Sequence, residues 1–161
     1  LHSEQDLARQ LGERLPARLR ATATAERAIE LRPVEVCNPL RPTPSAAVRH
    51  VWMRAIEPLP DDPNLHRAVL AWASDFSFLG TSLDPHGISW LTPGLHIASL
   101  DHALWFHRPF RIDDWLLYAI ESPSAAGARG WVRGRVFDRA GRLVASAVQE
   151  GLIRMRSHTG P

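Results

Sequence analysis

An α+β fold, an antiparallel sheet wrapped around one long buried helix, is what this 161-residue chain predicts, and three features predict it. Residues 64–79 (NLHRAVLAWASDFSFL) are apolar on nearly every helical face, as a helix enclosed by other structure would be. Strand-like stretches flank this segment, two before it and four after it. The last of these follow one another through short turns, which favours antiparallel neighbours.

Taken in order, residues 4–21 show helical spacing, with Leu7, Leu11, Leu15 and Leu19 four apart, and Pro16 interrupts them. Residues 1–27 therefore read as a linker-like helix and connector. Ala28–Val36 (AIELRPVEV) alternates as a strand does, three prolines within 38–45 mark a loop, and Ala46–Ile56 alternates again. Asp61 and Asp62 suit the start of the helix over 64–79, whose face Leu65, Val69, Trp72, Phe76 and Leu79 is read as its core side. Gly80 can end it.

After a loop containing Pro85, Gly87, Pro93 and Gly94 comes Leu95–Phe110 (LHIASLDHALWFHRPF), which carries apolar residues on both faces and so reads as a central, doubly covered strand. Trp115–Ser122, Arg129–Phe137 and Leu143–Met155 complete the meander, with Asp138–Gly141 as a tight hairpin turn. Residues 28–156 form one domain on this reading, and 157–161 are a tail. A sheet curled around one apolar helix is the hotdog architecture.

Composition narrows the function classes. A hydrophobic share of 45% and a charged share of 22% are those of an ordinary globular domain. No apolar run approaches the roughly 20 residues a membrane span requires, and the first residues lack the marks of a signal peptide. All 19 basic residues are arginine, yet the net charge is only +2, and no basic run or zinc-ligand spacing points to nucleic acid. The single cysteine, Cys37, excludes an internal disulfide and fits a reducing, cytoplasmic setting, with the thiol expected buried in a strand. No nucleophile elbow, HExxH, phosphate loop or dinucleotide fingerprint is present, so neither a metal nor a redox cofactor is expected.

Three polar residues sit where apolar ones are expected. Asp75 lies among Trp72, Phe76, Phe78 and Leu79; Gln149 shares a strand face with Leu143, Ala145, Ala147, Gly151 and Ile153; Ser99 shares one with Ile97 and Trp105. Each alone is ordinarily satisfied by nearby backbone, but three on a buried helix and two strands mark a candidate site. Asp101 and His102 are adjacent in a strand and face opposite ways, so they form no dyad. His102, His107 and Arg108 flank Trp105 and Phe106 and are read as packing or interface residues.

Several runs now carry a resemblance: LDHALWFHRPF, DDWLLYAIESPSAAGARG and GRLVASAVQEGLIR, with ELRPVEVCNPL and AWASDFSFL upstream. Together they resemble the carboxyl-terminal half of the acyl-CoA thioesterase II family, from about residue 30 to 154. The resemblance implies the second of two hotdog repeats and hydrolysis of acyl-CoA to free fatty acid and CoA. Its site of carboxylate, hydroxyl and glutamine falls on Asp75, Ser99 and Gln149. Ser99 stands where this family often has threonine, which keeps the hydroxyl.

Asp75 is then expected to orient a water and accept its proton, with Ser99 and Gln149 fixing both. Arg129 and Gly130, in the loop expected over Ser122–Gly130, are the candidates for contacting the CoA moiety of the substrate. The first repeat is missing, so the partner implied is another hotdog unit, either a second copy or a separate first repeat. Two rivals stand beside this reading. One is a non-catalytic acyl-CoA-binding or assembly half of a split double-hotdog protein. The other, an enoyl-CoA hydratase, wants an Asp/His pair that His66 is badly placed to supply.

Overall fold

The computed structural model describes residues 1–156, and the expected tail 157–161 lies outside the described residues. Helices α1 (Glu4–Leu11) and α2 (Ala17–Thr24) are separated by a 3-10 turn at Gly12–Arg14, the break expected near Pro16. Ser3 and Asp6 close a reciprocal capping box on α1, satisfying backbone donors that the first turn leaves free. The strands are β1 (Ile29–Pro33), β2 (Val48–Ala55), β3 (Leu95–Ser99), β4 (Ala103–Phe106), β5 (Leu116–Ala126), β6 (Arg129–Phe137) and β7 (Leu143–Met155). One antiparallel sheet runs β1-β2-β5-β6-β7-β3, with β4 also on β7.

The inward face of the sheet alternates with the outward one, as period-two patterning requires. Leu116, Tyr118 and Ile120 from β5, Val132 and Val136 from β6, and Ala145 and Ala147 from β7 are buried with Val51 and Met53 of β2. Leu70 and Ala73 of α3 (Pro63–Ala73) join the same core, followed by Phe78. Asp62 caps α3 by accepting from the Asn64 N–H at 2.9 Å, and Pro63 occupies the first turn, where its missing N–H costs nothing.

Three expectations change. First, the helix ends at Ala73, and its buried side is His66, Leu70 and Ala73 rather than the 65/69/72/76/79 face; Trp72 is 55% exposed. Apolar residues lie on more than one face of this helix, so tertiary packing chose which of them is buried. Gly80 does not end it but lies inside a 3-10 helix at Leu79–His86.

Second, residues 95–106 are not a central strand. They form two short strands on the outer margin of β7, pairing with Gly151–Met155 and with Ala145–Val148 respectively. Ile97, Leu100, Trp105 and Phe106 are left substantially exposed there. Between the two strands the chain leaves the ladder: the N–H groups of Leu100 and Asp101 both reach the Glu150 carbonyl, at 2.9 and 3.4 Å, and the Asp101 carboxylate accepts from the Glu150 N–H at 2.7 Å. Third, β1 stops at Pro33, so Cys37 is exposed in the following segment rather than buried in a strand.

The segment after α3 settles onto β6 and β7 because those strands present glycines. A Cβ at Gly130 would come 2.5 Å from Ser82 Oγ, one at Gly134 would overlap the Tyr118 ring, and one at Gly151 would overlap the Leu79 side chain. Arg49 on β2 grips the 3-10 helix from the other side, donating to both Asp84 carboxylate oxygens at 2.7 and 2.6 Å and to the Gly80 carbonyl at 3.2 Å. Replacing Gly134 by Ala is expected to cost on the order of 1–3 kcal/mol through overpacking against Tyr118. Urea unfolding of Gly134→Ala beside Ala119→Gly, a change at a half-buried neighbour on β5, checks that the loss comes from crowding.

Candidate active site

Asp75 follows the last turn of α3, where Ser74 and the next residues turn the chain toward the 3-10 helix. Ser77 takes the left-handed conformation (φ 60°) that this reversal requires, and its Oγ donates to the Glu4 carboxylate on α1 at 3.1 Å. Tyr118 anchors the turn from below: its hydroxyl donates to the Ser74 carbonyl at 3.1 Å. Burial, with the Asp75 carboxylate adding to it, pushes the Tyr118 phenol well above the ordinary tyrosine range, so it stays a donor.

Asp75, Ser99 and Gln149 do come together. The Gln149 Nε2–H donates to Ser99 Oγ at 2.6 Å, and Ser99 Oγ donates in turn to Asp75 Oδ1 over a longer 3.5 Å. Gln149 is fully buried, as its strand face predicts. Asp75 and Ser99 are exposed, which corrects the expectation of a carboxylate buried in an apolar helix. The arrangement is a carboxylate and a hydroxyl open to the outer margin of the sheet, backed by a buried amide. Such a set can hold and polarise a water on its open side.

A fourth side chain belongs to the cluster. His102 Nδ1 is 2.6 Å from Gln149 Oε1, and its Nε2 is 2.8 Å from Ser74 Oγ, so one imidazole spans the end of α3 and the middle of β7. Its ring packs edge-on against Phe78, with centroids 5.7 Å apart. The break at residues 100–102 is why strand parity pointed His102 away from the site. In a continuous strand, Ser99 and His102 face opposite ways; the break shifts the phase, and both reach Gln149. The sequence signal was only its place among several polar residues, Ser99 and Asp101 included, in a stretch with apolar residues on both faces.

The remaining candidates sit elsewhere. β5 and β6 continue through most of 122–130, so the loop expected there is only a turn at Gly127–Ala128. Arg129 is exposed and paired with Glu150 at 2.7 Å, whereas Gly130 is buried against Ser82 and serves close packing. His66 is buried on α3, accepting the Ile112 N–H at Nδ1 over 3.2 Å, and forms no pair with Asp75. Among the described residues no cluster of His, Cys, Asp and Glu could hold a metal ion.

Comparison with known proteins gives these contacts a family context. The family model for acyl-CoA thioesterase matches residues 18–152. Acyl-CoA thioesterase 2 of Haemophilus influenzae is 38% identical over 151 residues, which are 94% of this chain and 53% of that protein. Human acyl-coenzyme A thioesterase 8 is 39% identical over 153 residues, 91% of this chain and 46% of that protein. The crystal structure of an acyl-CoA thioesterase II, TesB2, from Mycobacterium marinum superposes with a TM-score of 0.66 at 42% identity, covering 81% of this chain and 50% of that one. A hot dog fold protein from Alicyclobacillus acidocaldarius shares the fold at a TM-score of 0.59 and 18% identity, over 81% of this chain and 47% of its own. The chain spans about half the length of the curated relatives it matches.

The cluster makes a contrast measurable in stability. Gln149→Leu removes the buried amide itself and leaves Ser99 and His102, both exposed, to water, so it is expected to stay within about 1 kcal/mol of the parent. Ser99→Ala takes the acceptor from the fully buried Gln149 Nε2–H and is expected to cost about 1–3 kcal/mol. Chemical denaturation of the two variants separates them.

Proposed function

Because the chain belongs to the acyl-CoA thioesterase family, we propose that it hydrolyses acyl-CoA thioesters to the free acid and CoA, using a water held by Asp75, Ser99 and Gln149. The observation that carries this reading is the convergence of a carboxylate, a hydroxyl and an amide from three separate elements, linked at 3.5 and 2.6 Å. Asp75 takes a proton from the water as its oxygen attacks the thioester carbonyl carbon. The C–S bond of the resulting tetrahedral species breaks, and the proton passes from Asp75 to the departing CoA sulfur. Ser99 and Gln149 contribute orientation: they fix the carboxylate and the water so that little freedom is lost on the way to the transition state. Arg129 is the proposed cation for the CoA phosphates, its charge partly met by Glu150.

Asp75→Asn is expected to lower kcat for acyl-CoA hydrolysis on the order of a hundredfold or more, with little change in KM. Parent-like turnover in that variant would overturn the assignment. Binding of acyl-CoA without turnover by the associated parent protein would make it a binding or assembly half instead.

A second hotdog unit is part of the proposal. Ile97, Leu100, Trp105 and Phe106 lie exposed along the same sheet margin that carries Ser99, and an apolar margin of this kind is ordinarily covered. A second copy, or a separate repeat, seated there would close the open side of the Asp75–Ser99 pair and exclude bulk water. Sedimentation at low micromolar concentration is expected to show an associated species that holds the activity. An active, folded monomer would contradict it.

A further inference from the structure

We propose that His102 is a positioning residue for this reaction: by donating from Nδ1 to the Gln149 carbonyl, it commits the Gln149 amide to Ser99 and the Ser99 hydrogen to Asp75. The inference rests on the thioesterase reading of the same site and deepens it. Its material is five side chains in one line of contacts: Ser74 Oγ to His102 Nε2 at 2.8 Å, His102 Nδ1 to Gln149 Oε1 at 2.6 Å, Gln149 Nε2 to Ser99 Oγ at 2.6 Å, and Ser99 Oγ to Asp75 Oδ1 at 3.5 Å.

Such a line has two self-consistent proton arrangements. In the first, every donor points toward Asp75: Ser74 donates to Nε2, Nδ1–H to the glutamine carbonyl, the amide to Ser99, and Ser99 to the carboxylate. In the second, every donor points away. His102 carries its proton on Nε2 and donates to Ser74, which donates to the Ala71 carbonyl at 2.9 Å; the glutamine amide flips to donate to Nδ1, and Ser99 donates to the glutamine oxygen. Both satisfy the buried Gln149 amide, so its burial alone does not choose.

The carboxylate chooses. Only the first arrangement presents a hydrogen, rather than a lone pair, to Asp75 Oδ1, and an ionised acceptor strengthens the bond it receives. The bias passes along the line because each group has one way to satisfy both neighbours. The consequence for the reaction is specific. With His102 as an Nδ1–H donor, the glutamine cannot rotate and the Ser99 hydrogen is held on the carboxylate, leaving the other carboxylate oxygen, Oδ2, for the water. The packing of the ring on Phe78 fixes the imidazole plane but does not by itself set a proton position.

Two measurements test this, one independent of turnover. In the folded, uniformly 15N-labelled chain at about pH 8.5, imidazole nitrogen shifts should show the neutral His102 protonated on Nδ1, against the usual preference for Nε2. An Nε2–H or doubly protonated ring would overturn the proposal whether or not the protein hydrolyses thioesters. In steady-state hydrolysis of an acyl-CoA, His102→Phe keeps the ring and its packing but loses the donor, and should reduce kcat about tenfold or more with KM unchanged. His102→Asn, whose amide can stand in for Nδ1–H, should recover most of that loss. Equal losses in the two variants, or none, would mean that His102 only fills space. Failure of the thioesterase reading would appear separately, as an inactive parent with the Nδ1–H signature intact.

Discussion

The buried amide of Gln149 is the constraint around which this structure is arranged. A side-chain amide cannot be sealed inside a sheet without a donor for its oxygen and an acceptor for its nitrogen, since each unmet group costs one to a few kcal/mol. β7 supplies neither from its own backbone, which is engaged with β6 on one side. The partners come from the other side, where the outer strand breaks over residues 100–102 and turns Ser99 and His102 onto the amide together. That break replaces part of a ladder with two side-chain bonds, and the outer strand is consequently two short pieces rather than one long one.

The second requirement is close approach. Asp75 reaches Ser99 only because the chain after α3 lies almost on the sheet, and that is helped by the absence of side chains at Gly130 and Gly151, where Ser82 and Leu79 come in. Gly134 in turn leaves room for the Tyr118 ring of β5. Tyr118 then holds the Ser74 carbonyl, and Arg49 holds Asp84 and the Gly80 carbonyl, so the turn bearing Asp75 is tied at both ends. The positive φ at Ser77 is the local strain this turn stores, offset by the bond to Glu4. A carboxylate on a tied turn keeps its position while facing solvent, as the general-base role proposed for Asp75 would require.

The site is therefore asymmetric. Its inner half, Gln149 and Ser74, is buried and paired through His102; its outer half, Asp75 and Ser99, opens onto a margin lined by exposed Ile97, Leu100, Trp105 and Phe106. Rigid backing and an open front fit the proposed division between geometry supplied by this chain and enclosure supplied by a second hotdog unit.

How much of this was legible in sequence follows from what each signal measures. The antiparallel run β5-β6-β7, the limits of β6 and β7, the break near Pro16 and the buried face of β7 were legible because alternation and proline act locally, whereas residues 95–106, expected to open that meander, pair instead with β7. Asp75, Ser99 and Gln149 stood out because polar residues among apolar ones are conspicuous wherever they fall. The core face of α3 was misread, since apolar residues on more than one face offered competing periods and the buried one includes His66; the exposure of Asp75 was not legible either, as it depends on where the helix stops. His102 was misread for a sharper reason: strand parity holds only while the ladder is unbroken, and the break that redirects it is imposed by Gln149, about fifty residues on, whose need for partners exists only once the sheet has formed.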